Sequence, residues 1–582
     1  MKKYVAWLRL RPRLVAFVAF GMLGTATATN VAWTDDARFY VPAAAAYAEW
    51  MQNAVVGVAT LDFAPLSRQR IDAAFRNNHE HPPVAKYIMG IGWLLFHHWT
   101  GWLDEVDACR AGVMLLWAWM CALVFGLVRQ HRGPSAGIFA GLALALMPRV
   151  LFHAHAETLD MPVTALLVMT FDAVLRCMET PRYRTAIAGT VFFGLALGAK
   201  LNAPFFLAAL LVYLIIERPP RLEGVSLRLP SLPIVVVGMI CISPLTAWLL
   251  WPWMWFDTVA RLQQYVQFHS QHYGIFFYFR GVLYGEHVAP WYAPWLLMLM
   301  TVPLPVMLFA LAGAWPPMRT LIGRLPGSAR LGERLDASRV AKHVNASSLG
   351  LVTSDALRDD PAVRLALLAV LQAAVQLTAV SLPGVPVYGG IKLFLPAFPF
   401  LAILAGLAFG SLVAEIQSTS LPERTRRAIV AGTAVLLLLP GAIGVVAYSG
   451  TWLSYYNAWA GGVRGATAAG HERQYYDLAY PALLEALNEA LPNGGGVAVL
   501  PNPKEYAPYL SRWQESGALS RGIRRATPEN ADILVLTHER RWRRYPVLMA
   551  RYRTRPLLTQ HTVAGVPMFS VYDLREGVSP PP

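Results

Sequence analysis

The sequence predicts a mainly α-helical, polytopic membrane protein with about eleven spans, further interfacial helices and a small C-terminal α/β domain. Three observations predict this fold class. Apolar residues make up 55% of the 582 residues and the mean hydropathy is +0.40, whereas soluble domains are about half apolar at most. Apolar runs long enough to cross a bilayer, about 20 residues, recur along the chain. Residues 448–582, in contrast, are mostly polar.

The long apolar runs define the predicted spans. Because the run 185–217 is too long for one span and is interrupted at Lys200 to Pro204, it predicts two short helices. The basic N-terminus is similar to the start of a signal peptide, but no convincing cleavage site precedes a soluble segment, so the first run is interpreted as a span. The predicted spans are residues 14–33, 109–128, 134–151, 158–178, 185–199, 203–217, 231–251, 290–314, 363–382, 392–412 and 427–447.

The distribution of basic residues predicts the orientation. With the N-terminus in the cytoplasm, 23 Lys and Arg fall in the 103 residues of the cytoplasmic pieces 1–13, 129–133, 176–184, 217–229, 315–362 and 413–427. Only 8 fall in the 133 residues of the outer pieces 34–108, 152–157, 199–203, 252–289 and 383–391. This positive-inside pattern predicts a bacterial inner-membrane protein with a periplasmic C-terminal domain. It also explains the formal net charge of +15 without a nucleic-acid partner.

The segment 83–99 decides this orientation. It is apolar enough to suggest a span, but a span here would invert every later loop and place the basic piece 129–133 outside. We therefore interpret 83–99 as a helix lying in the membrane interface, with its aromatic and histidine side chains at headgroup depth. These are Trp93, His97, His98, Trp99 and the nearby Trp102.

The sequence divides into two predicted domains. Residues 1–450 form the transmembrane module, with the outer loop 34–108, and residues 451–582 form a periplasmic α/β domain. Strands are predicted at 496–500, 532–536 and 566–573, and a helix at 481–491. The polar loop 315–362 is expected to be partly disordered. The four cysteines lie within or beside apolar segments without metal-site spacing, which predicts no disulfide framework.

Ionisable residues beside membrane spans are costly, so a cluster of them suggests a site. Nearly all of the unusual ones here fall on the predicted outer face. The first cluster is the pair Asp35-Asp36, directly after the first span. Two adjacent carboxylates can take a proton from a nucleophile or hold a cation. The alternative is an ordinary helix N-cap.

The second cluster leads into the interfacial helix. It contains His81-Pro82-Pro83 and, three residues later, Lys86. The proline pair stiffens the entry to the helix, and Lys86 would lie where the phosphate of an anionic lipid lies. The alternative is a lysine that extends to the headgroups without a specific ligand.

The third cluster lies in a short outer loop. It brings one cation, two imidazoles and two carboxylates into twelve residues: Arg149, His153, His155, Glu157 and Asp160. The last four could bind a metal ion, but hydrogen bonds to a phosphate or a sugar are equally natural. Both interpretations stay open at this point.

A fourth, looser set occupies two other outer pieces. Tryptophans at this depth usually form the aromatic belt of a membrane protein, although some could stack on a sugar. The polar residues of the set are Lys200, Asn202, His269, His272, Tyr273, Arg280, Glu286 and His287, and the tryptophans are Trp251, Trp253, Trp255 and Trp291.

With these motifs, the chain resembles the C superfamily of membrane glycosyltransferases, and within it the protein O-mannosyltransferase and aminoarabinose transferase group (glycosyltransferase family 39-like). The matching pieces are Asp35-Asp36 with Phe39, His81-Pro82-Pro83 with Lys86, Arg149 to Asp160, Pro290-Trp291-Tyr292-Ala293-Pro294, and Tyr455-Tyr456-Asn457 with Gly461-Gly462. The resemblance covers roughly residues 10–480. This chain differs in having Asp36 where the group has Glu, and in its richer histidine cluster.

The resemblance implies transfer of a sugar from a polyprenyl-phosphate donor to a protein or glycolipid hydroxyl, with inversion. The implied catalytic residues are Asp35 as the general base, with Asp36 and Asp160. The implied phosphate ligands are Lys86, Arg149 and Lys200, which would meet the growing charge of the leaving group. The implied substrate-binding residues are His81, His153, His155, Glu157 and His287. The group generally needs no metal, although the histidines leave a divalent ion open.

Two other classes of protein fit a polytopic chain. A transporter or flippase would place ionisable groups at mid-depth of its spans and would show repeated halves. In this sequence the charges collect at one face, and no halves repeat. A non-catalytic membrane assembly protein with a periplasmic interaction domain is the other alternative.

Overall fold

A computed structural model describes residues 11–217, 221–223, 226–228, 232–271, 276–285, 289–323, 360–385 and 387–575. Most of the loop 315–362 therefore lies outside the described residues. The membrane module contains α1 (Pro12–Ala26), α2 (Ala37–Ala59), α3 (Arg68–Ala74), α4 (Val84–Trp93), α5 (Glu105–Arg132), α6 (Pro134–Ala145), α7 (Pro148–Ala154), α8 (Asp160–Glu179), α9 (Tyr183–Leu197), α10 (Pro204–Glu217), α11 (Ile234–Cys241), α12 (Ser243–Leu249), α13 (Thr258–Ser270), α14 (Ala293–Thr301), α15 (Leu304–Gly323), α16 (Pro361–Ser381), α17 (Phe398–Ser418) and α18 (Glu423–Ala447).

The mainly helical, membrane-spanning fold class is confirmed. Five described helices or helix pairs are long and apolar enough to cross a membrane: α5, α8, α16, α17 with its preceding turn Lys392–Ala397, and α18. Two bent pairs, α6 with α7 and α14 with α15, raise the number to seven. The shorter apolar helices α1, α9, α10 and α11 with α12 cover the other runs predicted to span. The count of eleven membrane crossings stays a prediction.

Prolines explain the two bent helix pairs. The residue before a proline is disfavoured in the helical conformation, and both Met147 (φ −82°, ψ 108°) and Val302 (φ −83°, ψ 136°) are extended before prolines. The axes turn by 72° and 119°, respectively. The side chain of Asn457 donates to the carbonyl oxygens of Leu299 (2.6 Å) and Val302 (2.7 Å), and so satisfies backbone acceptors that the second break exposes.

The segment 83–99 forms α4 followed by a π-helical turn, Leu94–His98. The two continue each other over Val84–His98, about 22 Å at 1.5 Å per residue, which is shorter than the hydrocarbon thickness of about 30 Å. Two glycines bring α4 against its neighbours. A Cβ at Gly90 would lie 2.5 Å from the carbonyl oxygen of Ala44 in α2, and one at Gly92 would lie 2.3 Å from that of Ala108 in α5.

Contacts at the two ends of the helix bundle separate the predicted inner and outer pieces. At one end, Arg132 pairs with Asp360, so two predicted cytoplasmic pieces meet, and Arg13 of a third hydrogen-bonds Asp172 near the end of α8. At the other end, Arg110 at the start of α5 donates to the carbonyl oxygen of Ala32. The end of α1 and the start of α5 thus share one end of the bundle. The interpretation of 83–99 as a helix in the membrane interface stays a prediction.

Three of the tryptophans predicted at the headgroups or in the aromatic belt are buried in the protein, and their depth in the membrane stays a prediction. Trp93 is buried and stacks on His98 at 5.0 Å between ring centroids. Trp251 and Trp253 are buried too, in a cluster with Tyr47 of α2. These three rings pack the outer loops against each other, because the loops fold into a structured layer instead of lying separately in the headgroups. The residues Trp99, Trp102 and Trp291 are exposed.

The C-terminal domain is built on a five-stranded mixed sheet. After two short hairpins, β1 (Arg221–Glu223) with β2 (Ser226–Arg228) and β3 (Phe277–Phe279) with β4 (Val282–Tyr284), its strands are β5 (Gly495–Leu500), β6 (Ile523–Arg525), β7 (Ile533–Thr537), β8 (Leu557–Val563) and β9 (Val566–Asp573). Their order is β6-β5-β7-β9-β8, with β5 parallel to β6 and β7, and β9 antiparallel to β7 and β8. The helices here are α19 (Gly462–Ala468), α20 (Pro481–Ala490), α21 (Pro503–Glu515) and α22 (Tyr545–Tyr552).

This domain confirms the predicted α/β tail, including the three predicted strands and the predicted helix. The sequence missed β6 and β8, which are the edges of the sheet and carry polar, mostly exposed residues. The domain packs directly on the outer end of the bundle. Trp33 forms an antiparallel bridge with Ala479, and the ion pair of Arg38 with Glu505 lies close by.

Candidate active site

The acid pair lies between α1 and α2. Asp36 occupies the N-cap position of α2, but its side chain makes no capping hydrogen bond. It faces the ammonium of Lys392 instead, at 3.8 Å. Asp35 is half-buried, and no group among the described residues donates a hydrogen bond to its buried Oδ1 atom. The side chains therefore do not serve as an ordinary cap.

Asp160 is the first residue of α8, where the helix dipole favours a negative charge. It forms an ion pair with Lys200, which lies in the turn after α9. The Nδ1 atom of His153 is 4.0 Å from its Oδ2 atom, and the hydroxyl of Tyr476 donates to the same oxygen at 3.4 Å. The structure thus brings together three of the predicted residues: Asp160, Lys200 and His153.

Lys392 connects Asp36 with the Asp160 group, and the sequence reasoning missed it. It opens the turn that precedes α17, and its ammonium lies 4.7 Å from the centre of the Tyr476 ring, the same tyrosine that donates to Asp160. Gly390 makes this arrangement possible, because a Cβ there would lie 2.1 Å from the Tyr475 ring. A lone lysine at the outer start of an apolar run was the signal in the sequence.

Arg149 is 1% exposed and lies in the first turn of α7. Its Nε atom donates to the carbonyl oxygen of Tyr455 at 2.9 Å, and its guanidinium lies 4.4 Å from the centre of the Tyr456 ring. Its Nη2 atom is buried, and no described residue accepts a hydrogen bond from it. Arg149 lines a small cavity together with Tyr456, Tyr475 and Arg541.

His153 joins Arg149 to Asp160. Its Nε2 atom is 2.7 Å from the hydroxyl of Tyr475, whose ring also lies 5.8 Å from the Arg149 guanidinium. Acids, cations and tyrosines from five separate parts of the chain therefore form one continuous group, which we call the outer cluster. Its members are Asp35, Asp36, Arg149, His153, Asp160, Lys200, Lys392, Tyr456, Tyr475 and Tyr476.

His155 and Glu157 face away from this cluster, towards α1 and α5. The Nε2 atom of His155 is 3.0 Å from the hydroxyl of Thr27, and burial followed by the nearby Arg110 lowers the pKa of His155 to about 3. Glu157 pairs with Arg110 and accepts a hydrogen bond from Thr34 at 3.2 Å. Both residues fasten the segment that carries the acid pair, and neither is placed to touch a substrate at the cluster.

Within the third cluster, His153 and Asp160 therefore lie together, whereas His155 and Glu157 have partners on α1 and α5 and in the segment between α1 and α2. Among the residues that the structure describes, no three His, Cys, Asp or Glu side chains come together to hold a metal ion. The geometry favours the hydrogen-bonding interpretation of this stretch.

Lys86 lies elsewhere than predicted. Its buried ammonium donates three hydrogen bonds, to the backbone and side-chain oxygens of Asn78 (2.6 and 2.8 Å) and to the carbonyl oxygen of His81 (2.9 Å). Burial lowers its pKa, with Glu80 opposing that shift. None of these contacts is with the outer cluster. His81 packs edge-on against Tyr40, 6.2 Å between ring centroids.

Several members of the fourth set lie outside the described residues: His272, Tyr273, Glu286 and His287. His269 is described and packs at 4.4 Å against the ring of Tyr265. Asn202 extends its amide towards the carbonyl oxygen of Leu393 at 3.5 Å, next to Lys392.

The electrostatic setting of Asp35 is unusual for an aspartate. Burial raises its pKa well above the ordinary value, and the neighbouring carboxylates Asp477 and Asp36 raise it further. Arg541 and Lys392 act in the opposite direction. A carboxylate with a raised pKa accepts a proton more readily at neutral pH than an ordinary aspartate does, which suits a general base.

Comparison with known proteins bears on the membrane module. Residues 80–248 match the sequence profile of the family described as dolichyl-phosphate-mannose-protein mannosyltransferase. The match includes His81, Lys86, Arg149, Asp160 and Lys200. It confirms over these residues the resemblance to membrane glycosyltransferases of this group that the motifs predicted. No protein among the curated sequences matches the chain.

Among solved structures, two of ArnT from Cupriavidus metallidurans are similar to this chain, one bound to undecaprenyl phosphate and one in the apo state. Each has 15% identity and a TM-score of 0.45. The first alignment covers 98% of this chain and 100% of that one, and the second covers 100% of each. The oligosaccharyltransferase of Archaeoglobus fulgidus, tethered to an acceptor peptide, is similar at 12% identity with a TM-score of 0.40, over 90% of this chain and 65% of that one.

Proposed function

We propose that this protein transfers a sugar from a polyprenyl-phosphate donor to an acceptor hydroxyl at the outer cluster. The observation that carries the proposal is the convergence of Asp35, Asp160, Lys200, Lys392 and Arg149 at one end of a membrane helix bundle. Buried ionisable groups at the edge of a membrane are costly and mark functional sites. The family profile over residues 80–248 supports a lipid-linked sugar as the donor.

Asp35 is the proposed general base. Its buried Oδ1 atom has no donor among the described residues, and its raised pKa favours proton acceptance. The acceptor oxygen attacks the anomeric carbon while its proton passes to Asp35. The bond from the anomeric carbon to the phosphate oxygen breaks, and polyprenyl phosphate leaves with the electron pair. This single displacement inverts the anomeric centre.

Arg149 is the proposed principal ligand of the departing phosphate. Its Nη2 atom is buried and unpartnered among the described residues, in a cavity lined by Tyr456 and Tyr475. A guanidinium can hydrogen-bond a phosphate oxygen and meet the negative charge that grows in the transition state. Lys200 and Lys392 are held by Asp160 and Asp36, so they would add positive potential nearby. Lys86, with its three hydrogen bonds inside the outer loop, would fix that loop.

Asp160 is the proposed organiser of the site. It fixes Lys200 directly, and it lies close to His153 and Tyr476. We place the reaction on the periplasmic face of a bacterial inner membrane, because the outer cluster lies opposite the basic loops. The acceptor is a hydroxyl of a protein or a glycolipid.

The experiment uses the full-length protein in lipid nanodiscs. Undecaprenyl phosphate carrying radiolabelled mannose, glucose or aminoarabinose is offered with envelope protein and lipid fractions. The wild type is expected to release undecaprenyl phosphate and label one fraction, and NMR of the product is expected to show an inverted anomeric centre. No release from any polyprenyl-phosphate sugar, together with movement of the intact donor across the bilayer, would favour a flippase.

The variant Asp35→Asn tests the base. It is expected to lower the transfer rate by about 10²- to 10⁴-fold, the usual contribution of general base catalysis. Glu49→Gln is the matched control, because Glu49 is an exposed carboxylate on α2, the helix that follows the acid pair. Undiminished transfer by Asp35→Asn would remove the proposed role of Asp35.

A further inference from the structure

The C-terminal domain reaches the outer cluster through one buried arginine. Arg541 follows β7 in the chain and is 8% exposed. Its guanidinium pairs with Asp477 at 3.0 Å and with Glu539 at 2.7 Å. It also lines the cavity that contains Arg149. A residue of the sheet domain therefore lies at the wall of the site formed by the membrane helices.

The loop that carries Arg541 is fixed at its backbone. The N–H groups of Arg540 and Arg541 donate to the carboxylate of Glu472, at 3.2 and 2.8 Å. The indole N–H of Trp542 donates to Glu539 at 3.1 Å. Because the side-chain partners Asp477 and Glu539 are buried and Glu472 also holds the backbone, the position of the guanidinium is over-determined.

The segment that contains Asp477 also pairs with the segment that contains the acid pair. Trp33 and Ala479 are antiparallel bridge partners, with hydrogen bonds of 3.1 and 3.0 Å. In an antiparallel pair, the residue two positions later in one strand faces the residue two positions earlier in the other. Asp35 follows Trp33 by two positions and Asp477 precedes Ala479 by two, although Asp35 already belongs to the turn before α2. The bridge therefore holds the two segments side by side, close enough for the charge of Asp477, the partner of Arg541, to act on Asp35.

We propose that the C-terminal domain completes the active site by supplying Arg541 as a positioning residue, whose guanidinium neutralises Asp477 beside Asp35 and keeps Asp35 available as the base. This inference rests on the proposed function of Asp35. It assigns to the sheet domain a part in catalysis, in place of a separate binding role. Arg541 itself touches neither sugar nor phosphate in this scheme.

The charges around Asp35 agree with this arrangement. The groups that bear on it are Asp36, Lys392, Asp477 and Arg541. Burial raises the pKa of Asp35, the two carboxylates raise it further, and the two cations lower it. Burial is the largest influence on Asp477 and raises its pKa, but the charge and hydrogen bond of Arg541, together with hydrogen bonds with Glu539 and Trp542, lower the pKa of Asp477 below its ordinary value. Asp477 is thus an anion beside Asp35, and Arg541 compensates for it.

The test compares pH profiles of transfer by the full-length protein in nanodiscs, with the polyprenyl-phosphate sugar that the wild type uses. Activity of a general base is lost as pH falls through its pKa. Arg541→Gln removes a cation and is expected to move this acid limb up by about one pH unit. Asp477→Asn removes an anion and leaves Arg541 paired with Glu539, so the limb is expected to move down. Arg541→Lys is expected to lie close to the wild type.

A loss of folded protein lowers activity at every pH. It therefore cannot move the acid limb of Arg541→Gln up and that of Asp477→Asn down. Arg544→Gln is the control, because Arg544 is exposed on the same loop. Acid limbs that superimpose on the wild type in both Arg541→Gln and Asp477→Asn would overturn the inference, even if both variants are less active. Transfer that survives in Asp35→Asn would instead overturn the proposed function, so the two failures are distinguishable.

Discussion

Two aspartates at opposite ends of the helix bundle, Asp172 and Asp35, differ in how completely their carboxylates are paired. At the inner end, Asp172 accepts two hydrogen bonds from Arg13, at 3.0 and 2.9 Å, and pairs with Arg176 at 3.0 Å. At the outer end, Asp35 Oδ1 and Arg149 Nη2 are buried without a partner among the described residues.

This difference helps to distinguish charged residues that stabilise the fold from those that take part in the reaction. A buried polar atom without a hydrogen bond costs free energy, and a bound substrate is one way to satisfy it. Asp172 is satisfied by Arg13, and this pair holds α1 against α8. Asp35 Oδ1 and Arg149 Nη2 keep acceptor and donor capacity that a substrate could use. Predictions that separate activity from stability test this comparison.

After that of Asp35→Asn, the largest expected effect is at Arg149. Arg149→Gln is expected to lower kcat/KM for the lipid-linked donor by about 10²- to 10³-fold, because the phosphate loses a charged hydrogen-bond donor in the transition state. Arg149→Lys is expected to recover part of this loss, since it keeps the charge but not the planar group. Steady-state transfer with varied donor measures both. Arg464→Gln is an exposed control, and unchanged kinetics in Arg149→Gln would contradict the assignment.

A smaller effect, on stability alone, is expected at Lys86. Lys86→Met leaves three partly buried acceptor oxygens of Asn78 and His81 without their donor, which is expected to lower the free energy of unfolding by about 2 kcal/mol. The KM for the donor is expected to stay within about twofold of the wild type, because the hydrogen bonds of Lys86 lie outside the outer cluster. Such a change is well below a tenfold change in affinity, which corresponds to about 1.4 kcal/mol. Denaturation in detergent followed by circular dichroism measures the first quantity. A donor KM raised tenfold or more in folded protein would instead support Lys86 as a ligand of the donor phosphate.

The smallest effect is expected at the inner end. Arg13→Gln removes one of two cations on Asp172, and both side chains of the pair are partly exposed, so the expected loss is about 1 kcal/mol of unfolding free energy. The transfer rate per folded molecule is expected to be unchanged. Arg182→Gln, an exposed arginine of the same face, is the control. A loss of transfer without a loss of stability would break the distinction between the two ends.

Much of the membrane fold could be predicted, because hydropathy and basic-residue counts respond to the bilayer and not to tertiary contacts. Each predicted span lies on an apolar helix or a bent helix pair. The acid pair, Arg149, Asp160 and Lys200 could also be found, since ionisable residues beside spans are conspicuous in an apolar chain. Lys392 is the first residue of the predicted span 392–412, and an ionisable residue at this outer end of a span also suggests a site.

The rest depended on contacts between residues far apart in sequence. Lys86 stands in a motif that resembles a phosphate ligand, yet the carbonyl groups of its own loop surround it. His155 and Glu157 belong to the richest polar stretch, but they bind α1 and α5. The contribution of Arg541 arises only when the sheet domain docks on Trp33. No local spacing encodes these distances, so the sequence could not separate ligand from support.

The most direct test of the central claim compares Asp35→Asn with Asp172→Asn in the same nanodisc preparation. Both change one partly or largely buried aspartate at a bundle end, and both are measured for unfolding and for single-turnover transfer from the labelled polyprenyl-phosphate sugar. We expect Asp35→Asn to fold as stably as the wild type and to lose at least about 100-fold in transfer rate. We expect Asp172→Asn to lose stability and to keep its rate per folded molecule. Transfer retained by Asp35→Asn would contradict the assignment of the outer cluster as the active site.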